Sequence, residues 1–326
     1  MKQLVENFTL QLQEALDIAG KASLNKKANI QHIVITGLGG SGIGGTIMTE
    51  LAAHECPYPV IINKDYFLPE FIGPHSLVIV SSYSGNTEET ISAMQQAIDK
   101  KAQIICVTSG GRILDLAKQH GFDHIIIPGG NPPRSCIGYS LIQLIKIFQF
   151  NGFVKSDLLA DASAAIALLN REEKAIQADA LILAKTLHRK IPVIYSLGSC
   201  EGVAVRFRQQ VNENSKMLCW HHTFPEMNHN ELVGWAEPHE NMAVVTFRTT
   251  YDYKRTVKRY DVCKPIFEKQ AATVTDIMAK GSSRLEQFLY HIHLGDWASC
   301  YMADLKGVDA TEVDVITRLK NELANF

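Results

Sequence analysis

The sequence predicts an α/β protein, with two doubly wound parallel-sheet domains in tandem and a helical C-terminus. Three observations lead there. From about residue 30 onward, short runs rich in Ile and Val alternate with segments of helical periodicity. Two of the early runs break into a glycine-rich and a serine-rich turn, each of which opens a helix. A copy of the first run and its glycine turn then recurs at Ile191.

Taken in order, Met1-Lys2-Gln3-Leu4-Val5-Glu6-Asn7-Phe8 begins an amphipathic helix and lacks the charged start and apolar middle of a leader. The periodicities then predict strands over 32–36, 59–63, 77–81, 103–108 and 124–127, and helices over 42–54, 87–99, 112–120 and 134–149. Asn151-Gly152-Phe153 closes this unit, so the first domain is read as 1–153 and the second as 154–326. Two polar-faced helices, over 156–169 and 172–188, lead into the second. There Ile191-Pro192-Val193-Ile194-Tyr195-Ser196-Leu197-Gly198-Ser199 echoes Ile33-Val34-Ile35-Thr36-Gly37-Leu38-Gly39-Gly40-Ser41. A helix over 201–213, a strand over 242–247, a helix over 252–268, a strand over 272–276 and two long helices follow.

The serine-rich stretch is Ser81-Ser82-Tyr83-Ser84-Gly85-Asn86-Thr87-Glu88-Glu89-Thr90, after the run Leu77-Val78-Ile79-Val80. A strand that breaks into hydroxyl residues and starts a helix offers free N–H groups, hydroxyls and a positive helix end, which together suit an anion. Helix capping accounts for one or two hydroxyls, whereas five stand here. In the glycine-rich turn, Gly37, Gly39 and Gly42 also satisfy G-x-G-x-x-G, and Asp65 lies where a ribose partner would, so a dinucleotide site is an alternative. By the right-handed crossover rule both turns fall at the carboxyl ends of their strands, where ligands of such sheets bind. In the second copy the equivalent strand Val244-Val245-Thr246-Phe247 runs into Arg248-Thr249-Thr250-Tyr251, so the serine-rich cradle is missing there.

Bulk properties point to a small ligand. A net charge of −2 with no long Lys/Arg run gives no electrostatic reason to expect nucleic acid. No stretch reaches the roughly 18 apolar residues of a membrane span, so a cytoplasmic protein is expected. The seven cysteines are scattered and never spaced C-x-x-C, which argues against a disulfide framework and a zinc knot. With no H-E-x-x-H and no carboxylates at ligand spacing, no metal is expected.

Polar residues become dense at Arg208-Gln209-Gln210-Val211-Asn212-Glu213-Asn214-Ser215-Lys216, at Trp220-His221-His222, and at Pro225-Glu226-Met227-Asn228-His229-Asn230-Glu231-Leu232-Val233-Gly234-Trp235. The pattern fits a functional loop, and equally a polar connection with incidental acids and histidines. A carboxylate with an imidazole serves as base and acid near neutral pH. Arg134, in Pro132-Pro133-Arg134-Ser135, stands at a helix start, where a cation opposes the dipole and suits a negatively charged partner.

The two turns resemble those of the sugar isomerase (SIS) phosphosugar-binding domains. On that resemblance Gly40, Ser41, Ser82, Ser84 and Thr87 hold a sugar phosphate. The motifs N-E-N-x-K, N-H-N-E-x-V-G-W, P-P-R-S and I-x-x-L-K-x-x-L narrow it: nearly the whole chain resembles the bifunctional phosphoglucose/phosphomannose isomerases of this group. The resemblance implies an aldose–ketose isomerase in which Glu213 moves a proton between C1 and C2 and Arg134 stabilises the enediolate. It further implies that His229 and Lys320, with Lys306 as a competitor for the lysine, open and close the sugar ring. No cofactor is implied, and a homodimer is, with His229 entering the neighbouring subunit's site. Glu201, at a helix start, is read as structural. A non-catalytic phosphosugar sensor and a nicotinamide dehydrogenase are the competing readings; the first has no need of Glu213 with Arg134, and the serine-rich turn weakens the second.

Overall fold

The structure is a computed structural model that describes residues 1–198 and 200–324, so Ser199 of the repeated glycine turn, Asn325 and Phe326 lie outside the described residues. The chain divides into two compact units. The first comprises Glu6–Arg171 and Gly281–Leu289; the second comprises Met1–Val5, Glu172–Lys280 and the chain from Tyr290 on.

The chain opens with α1 (Lys2–Glu6), nearly all of it in the second unit. In the first unit, after α2 (Phe8–Lys21), strand and helix alternate as β1 (His32–Thr36), α3 (Gly39–Ala52), β2 (Val60–Asn63), β3 (Ser76–Ser82), α4 (Glu88–Asp99), β4 (Gln103–Thr108), α5 (Gly111–His120), β5 (Asp123–Ile126) and α6 (Ile137–Asn151). The five strands pair in parallel in the order β2-β1-β3-β4-β5. Parallel strands buried on both faces require continuous apolar runs, which is what Ile33-Val34-Ile35 and Leu77-Val78-Ile79-Val80 supply. Val34, Val78, Val80, Ile104 and Cys106 form one core with Ala93 and Met94 of α4 and Ile113 and Leu116 of α5. On the other face, a Cβ at Gly45 of α3 would meet Ile35 Cγ2 at 3.0 Å and one at Gly44 would meet Ser140 of α6 at 3.1 Å, so small residues seat α3 between the sheet and α6.

Helix α7 (Leu158–Leu187) is one continuous helix of 30 residues, where two had been expected. Asn170-Arg171-Glu172-Glu173 contains no glycine or proline, and a polar face alone does not interrupt the i→i−4 ladder.

The second unit contains β6 (Ile191–Ser196), α8 (Glu201–Ser215), β7 (Trp220–Thr223), two short 3₁₀ turns (Glu226–His229 and Glu231–Ala236), β8 (His239–Arg248), α9 (Lys254–Gln270) and β9 (Ala271–Met278). The C-terminal helices are α10 (Arg284–Lys306) and α11 (Asp314–Ala324). Its four strands are parallel in the order β7-β6-β8-β9. The expected duplication is thus present as two parallel sheets, with β6 and β8 taking the places of β1 and β3. Trp220–Thr223, read from sequence as part of a polar loop, is instead an edge strand in register with β6, Trp220 opposite Val193 and Thr223 opposite Ser196. An edge strand needs only its backbone for pairing, and its half-buried side chains need not form an apolar run. Val193, Tyr195, Phe224, Met227, Trp235, Val244, Tyr260 and Phe267 make one core of this unit. On α8, Arg206 and Gln210 donate to the buried Asp296 of α10 at 2.5 and 3.0 Å. Among the described residues no helix is long and apolar enough to cross a membrane.

Candidate active site

In the first unit the two predicted turns meet. Tyr83 N–H donates to Ser41 Oγ at 3.0 Å, and a Cβ on Gly40 would lie 2.6 Å from the Pro133 carbonyl oxygen and 3.3 Å from Arg134 Cα. Glycine at position 40 therefore lets the first turn press against the Pro133-Arg134 backbone. Ser82 Oγ and Thr87 Oγ1 are 3.1 Å apart, and Ser84 Oγ, on an exposed residue, accepts from Asn86 N–H at 3.3 Å. Gly85 closes the turn at φ +69°, with the Gly110 carbonyl oxygen only 1.7 Å from where a Cβ would stand. The helices that start here, α3 and α4, both begin without a side-chain cap hydrogen bond. Uncapped helix starts beside glycine backbone and hydroxyls form a cradle for an anion with several oxygens.

The structure thus brings Gly40, Ser41, Ser82, Ser84, Thr87 and Arg134 into one neighbourhood. Arg134 is buried in a 3₁₀ turn (Pro133–Ser135) ahead of α6. Two of the five hydroxyls do not belong to the cradle: Ser81 and Thr90 are fully buried, and their Oγ atoms have no hydrogen-bond partner among the described residues. Strand and helix periodicity turns them inward. Tyr83 was missed from sequence and is central. Its hydroxyl oxygen accepts from Asn131 N–H at 3.1 Å, while its carbonyl accepts from the Ser109 N–H and O–H at 3.0 and 2.6 Å. Burial, helped by Cys136, pushes its phenol up to about 12, so it stays neutral while holding the Asn131–Arg134 segment beside the cradle. The one large residue among three serines was the signal available. Asp65, the ribose partner of the dinucleotide alternative, accepts from Tyr66 N–H at 2.6 Å.

The other candidates lie in the second unit. Half-buried Glu213 sits in the last turn of α8, and its neighbours fasten that turn: Asn214 Nδ2 donates to Ser299 Oγ at 2.9 Å and Ser215 Oγ to the Ser299 carbonyl at 2.8 Å. Lys216, left-handed at φ 53°, ends the helix and donates through Nζ to the carbonyls of Glu213 and Glu312, both at 2.6 Å. Lys306 Nζ donates to the Lys216 carbonyl at 2.5 Å, so it serves the end of α8, whereas Lys320 on α11 is exposed. Glu201, read from sequence as structural, is an exposed residue at the start of α8, 3.8 Å from His221. His229 is exposed at the end of the first 3₁₀ turn. Beside that turn, Asn228, Leu232, Tyr253, Lys254, Arg255, Lys258, Arg259, Val262 and Cys263 line an open groove of about 830 Å³. The seven cysteines are all free.

Residues 176–323 match the bacterial phospho-glucose isomerase C-terminal SIS domain. Over its whole length the chain is 40% identical to the bifunctional phosphoglucose/phosphomannose isomerase of Caldicellulosiruptor bescii, covering 99% of that protein. It is 36% identical to the same-named protein of Thermoplasma volcanium, covering 96% of this chain and 99% of that one. Among solved structures, the C-terminal domain of a glucosamine-fructose-6-phosphate aminotransferase from Francisella tularensis superposes with a TM-score of 0.76 over 96% of this chain and 99% of that one. At 13% identity that likeness shows the SIS fold alone. The full-length identity goes further, and the chain belongs to the bifunctional phosphoglucose/phosphomannose isomerase family.

Proposed function

We propose that the protein interconverts glucose 6-phosphate and mannose 6-phosphate with fructose 6-phosphate through a cis-enediolate, with no cofactor. The observation that carries this reading is the anion cradle of Ser82, Ser84 and Thr87 with Gly40 and Ser41, and family membership supplies the reaction class. The sugar's phosphate occupies the cradle. Glu213 takes the proton from C2 of the aldose and returns it to C1, and the Arg134 guanidinium balances charge that develops on the two enediolate oxygens. The enediolate has no stereocentre at C2, so both aldose epimers share it. His229 and Lys320 pass the proton that opens and closes the ring. In this division of labour residues 1–153 hold phosphate and residues 154–326 supply the base.

A cytoplasmic homodimer with shared sites belongs to the same reading. Its support is the exposed His229 and the groove beside it, lined in part by Tyr253 and Val262, which are 71 and 60% exposed. Mixing Glu213→Ala and His229→Ala chains so that subunits exchange should restore about a quarter of wild-type activity if sites are shared. No restoration would remove His229 from the neighbour's site. The decisive experiment for the reaction is a coupled assay of purified protein with each sugar phosphate. Turnover of both aldoses to fructose 6-phosphate is expected; binding without turnover would make the protein a sensor.

A further inference from the structure

Of the motif Asn228-His229-Asn230-Glu231-Leu232-Val233-Gly234-Trp235, the proposed chemistry uses only His229, yet other side chains of the motif have defined partners. Tyr195, fully buried in β6, donates its O–H to Glu231 Oε1 at 2.5 Å and accepts the Trp235 indole N–H at 2.9 Å. The Trp220 indole N–H of β7 reaches the same Glu231 oxygen at 3.3 Å. On the other side of His229, Met227 is fully buried, and Asn228 Nδ2 donates to Met227 Sδ at 3.2 Å and Cys263 Sγ at 3.1 Å. Asn230 Oδ1 accepts from Glu231 N–H at 2.6 Å, which starts the second 3₁₀ turn.

His229 therefore lies between two anchors, two residues from each. The upstream anchor is apolar and the downstream one is a carboxylate. Between them the chain is largely exposed and folded as 3₁₀ turns, whose hydrogen bonds are poorer than those of an α-helix. An O–H···O⁻ bond to a buried phenol is among the stronger single tethers such a segment can have. Burial, and next to it Glu231 itself, drives the Tyr195 phenol upward, so the hydroxyl keeps its proton and goes on donating through the working pH range.

We infer that Glu231 is a positioning residue: by accepting from Tyr195 and Trp220 it sets where the His229 imidazole stands for proton transfer, an inference that rests on the proton-carrying role proposed for His229. A displacement of about 1 Å at a reacting group costs on the order of 10²-fold in rate.

The test measures kcat, KM and Tm of the full chain for Glu231→Ala, Glu231→Gln, Tyr195→Phe, His229→Ala and the double variant Glu231→Ala/His229→Ala, with fructose 6-phosphate as substrate. Glu231→Ala should lower kcat about 10- to 100-fold with KM within about 3-fold of wild type. Glu231→Gln, whose amide oxygen still accepts from both donors, should recover kcat to within about 5-fold of wild type. The double variant should be no slower than His229→Ala alone, because one loss acts through the other. Tyr195→Phe keeps the ring in the core and removes the donor, so it should follow Glu231→Ala and carries the test if the latter folds poorly. Losses that multiply in the double variant, or a normal kcat for Glu231→Ala beside an impaired His229→Ala, would overturn the inference and leave the His229 role standing. A normal kcat for His229→Ala would overturn both.

Discussion

The loops that follow β3 and β8 occupy equivalent places in the two sheets, each leading from the strand beside the first into a helix. After β3 the loop is open, with Ser84 and Asn86 exposed. After β8 the loop is filled from within. The Asp252 carboxylate, 2% exposed, accepts from Thr249 N–H at 3.1 Å, Thr249 Oγ1 at 2.8 Å and Arg248 Nε at 3.1 Å. Backbone N–H, hydroxyl and cation, the donors that suit a phosphate, are here turned on the chain's own anion. A strand–loop–helix junction of this kind suits negative charge, and on the function proposed above the difference lies in whether that charge comes from a side chain or from a ligand.

That comparison can be broken from either side. The largest effect is expected for Asp252→Ala, which leaves the mostly buried Arg248 guanidinium without its carboxylate and should cost about 3–5 kcal/mol, read as a fall in Tm. A loss under about 1 kcal/mol would mean that the carboxylate does not fill this junction in the way described.

A smaller effect comes through His291, which donates from Nε2 to the Arg248 carbonyl at 2.9 Å and so steadies the same loop. Burial lowers its pKa from 6.5 to about 4, against the opposing pull of that hydrogen bond. The sign follows directly. Below pH 6.5 the unfolded chain takes up a proton that the folded chain refuses, so stability falls as pH drops toward 4, by up to about 3 kcal/mol. The slope of stability against pH over that window should flatten in His291→Gln; an unchanged slope would place the proton uptake elsewhere.

Smallest in energy is Ser84→Ala in the open loop. It should leave stability within about 0.5 kcal/mol and raise KM for fructose 6-phosphate roughly tenfold with little change in kcat, because a phosphate contact is shared by ground and transition states. An unchanged KM would remove Ser84 from the cradle.

The open loop was the more legible of the two. Leu77-Val78-Ile79-Val80 followed by hydroxyls announces a buried strand ending in a polar turn, and the strand spans 76–82 against the expected 77–81. The duplication could be read from the Ile191 run, and the absence of serines after β8 from Arg248-Thr249-Thr250. That Asp252 fills the gap could not, because a turn aspartate in sequence looks the same whether it caps its own backbone or faces solvent. Long-range contacts were hidden for a related reason. Tyr195 and Glu231 are 36 residues apart, and only the pairing of β6 with an unrecognised β7 brings the 3₁₀ segment over the tyrosine. Trp220-His221-His222-Thr223 has no apolar run to mark it, and Asn170-Arg171 offers a polar surface that reads as a break while α7 passes through it.

The central claim is that one sheet's open loop holds phosphate while a carboxylate on the other sheet's helix does the chemistry. Glu213→Gln tests it most directly, because the amide keeps the shape of the side chain and abolishes its basicity. Turnover of fructose 6-phosphate and its dissociation constant, from calorimetry on the same protein, should separate: kcat falls by at least about 10²-fold, while the dissociation constant stays within about 3-fold of wild type. A near-normal kcat would place the base elsewhere, with Glu201 next in line, and a parallel loss of binding would contradict the division of labour itself.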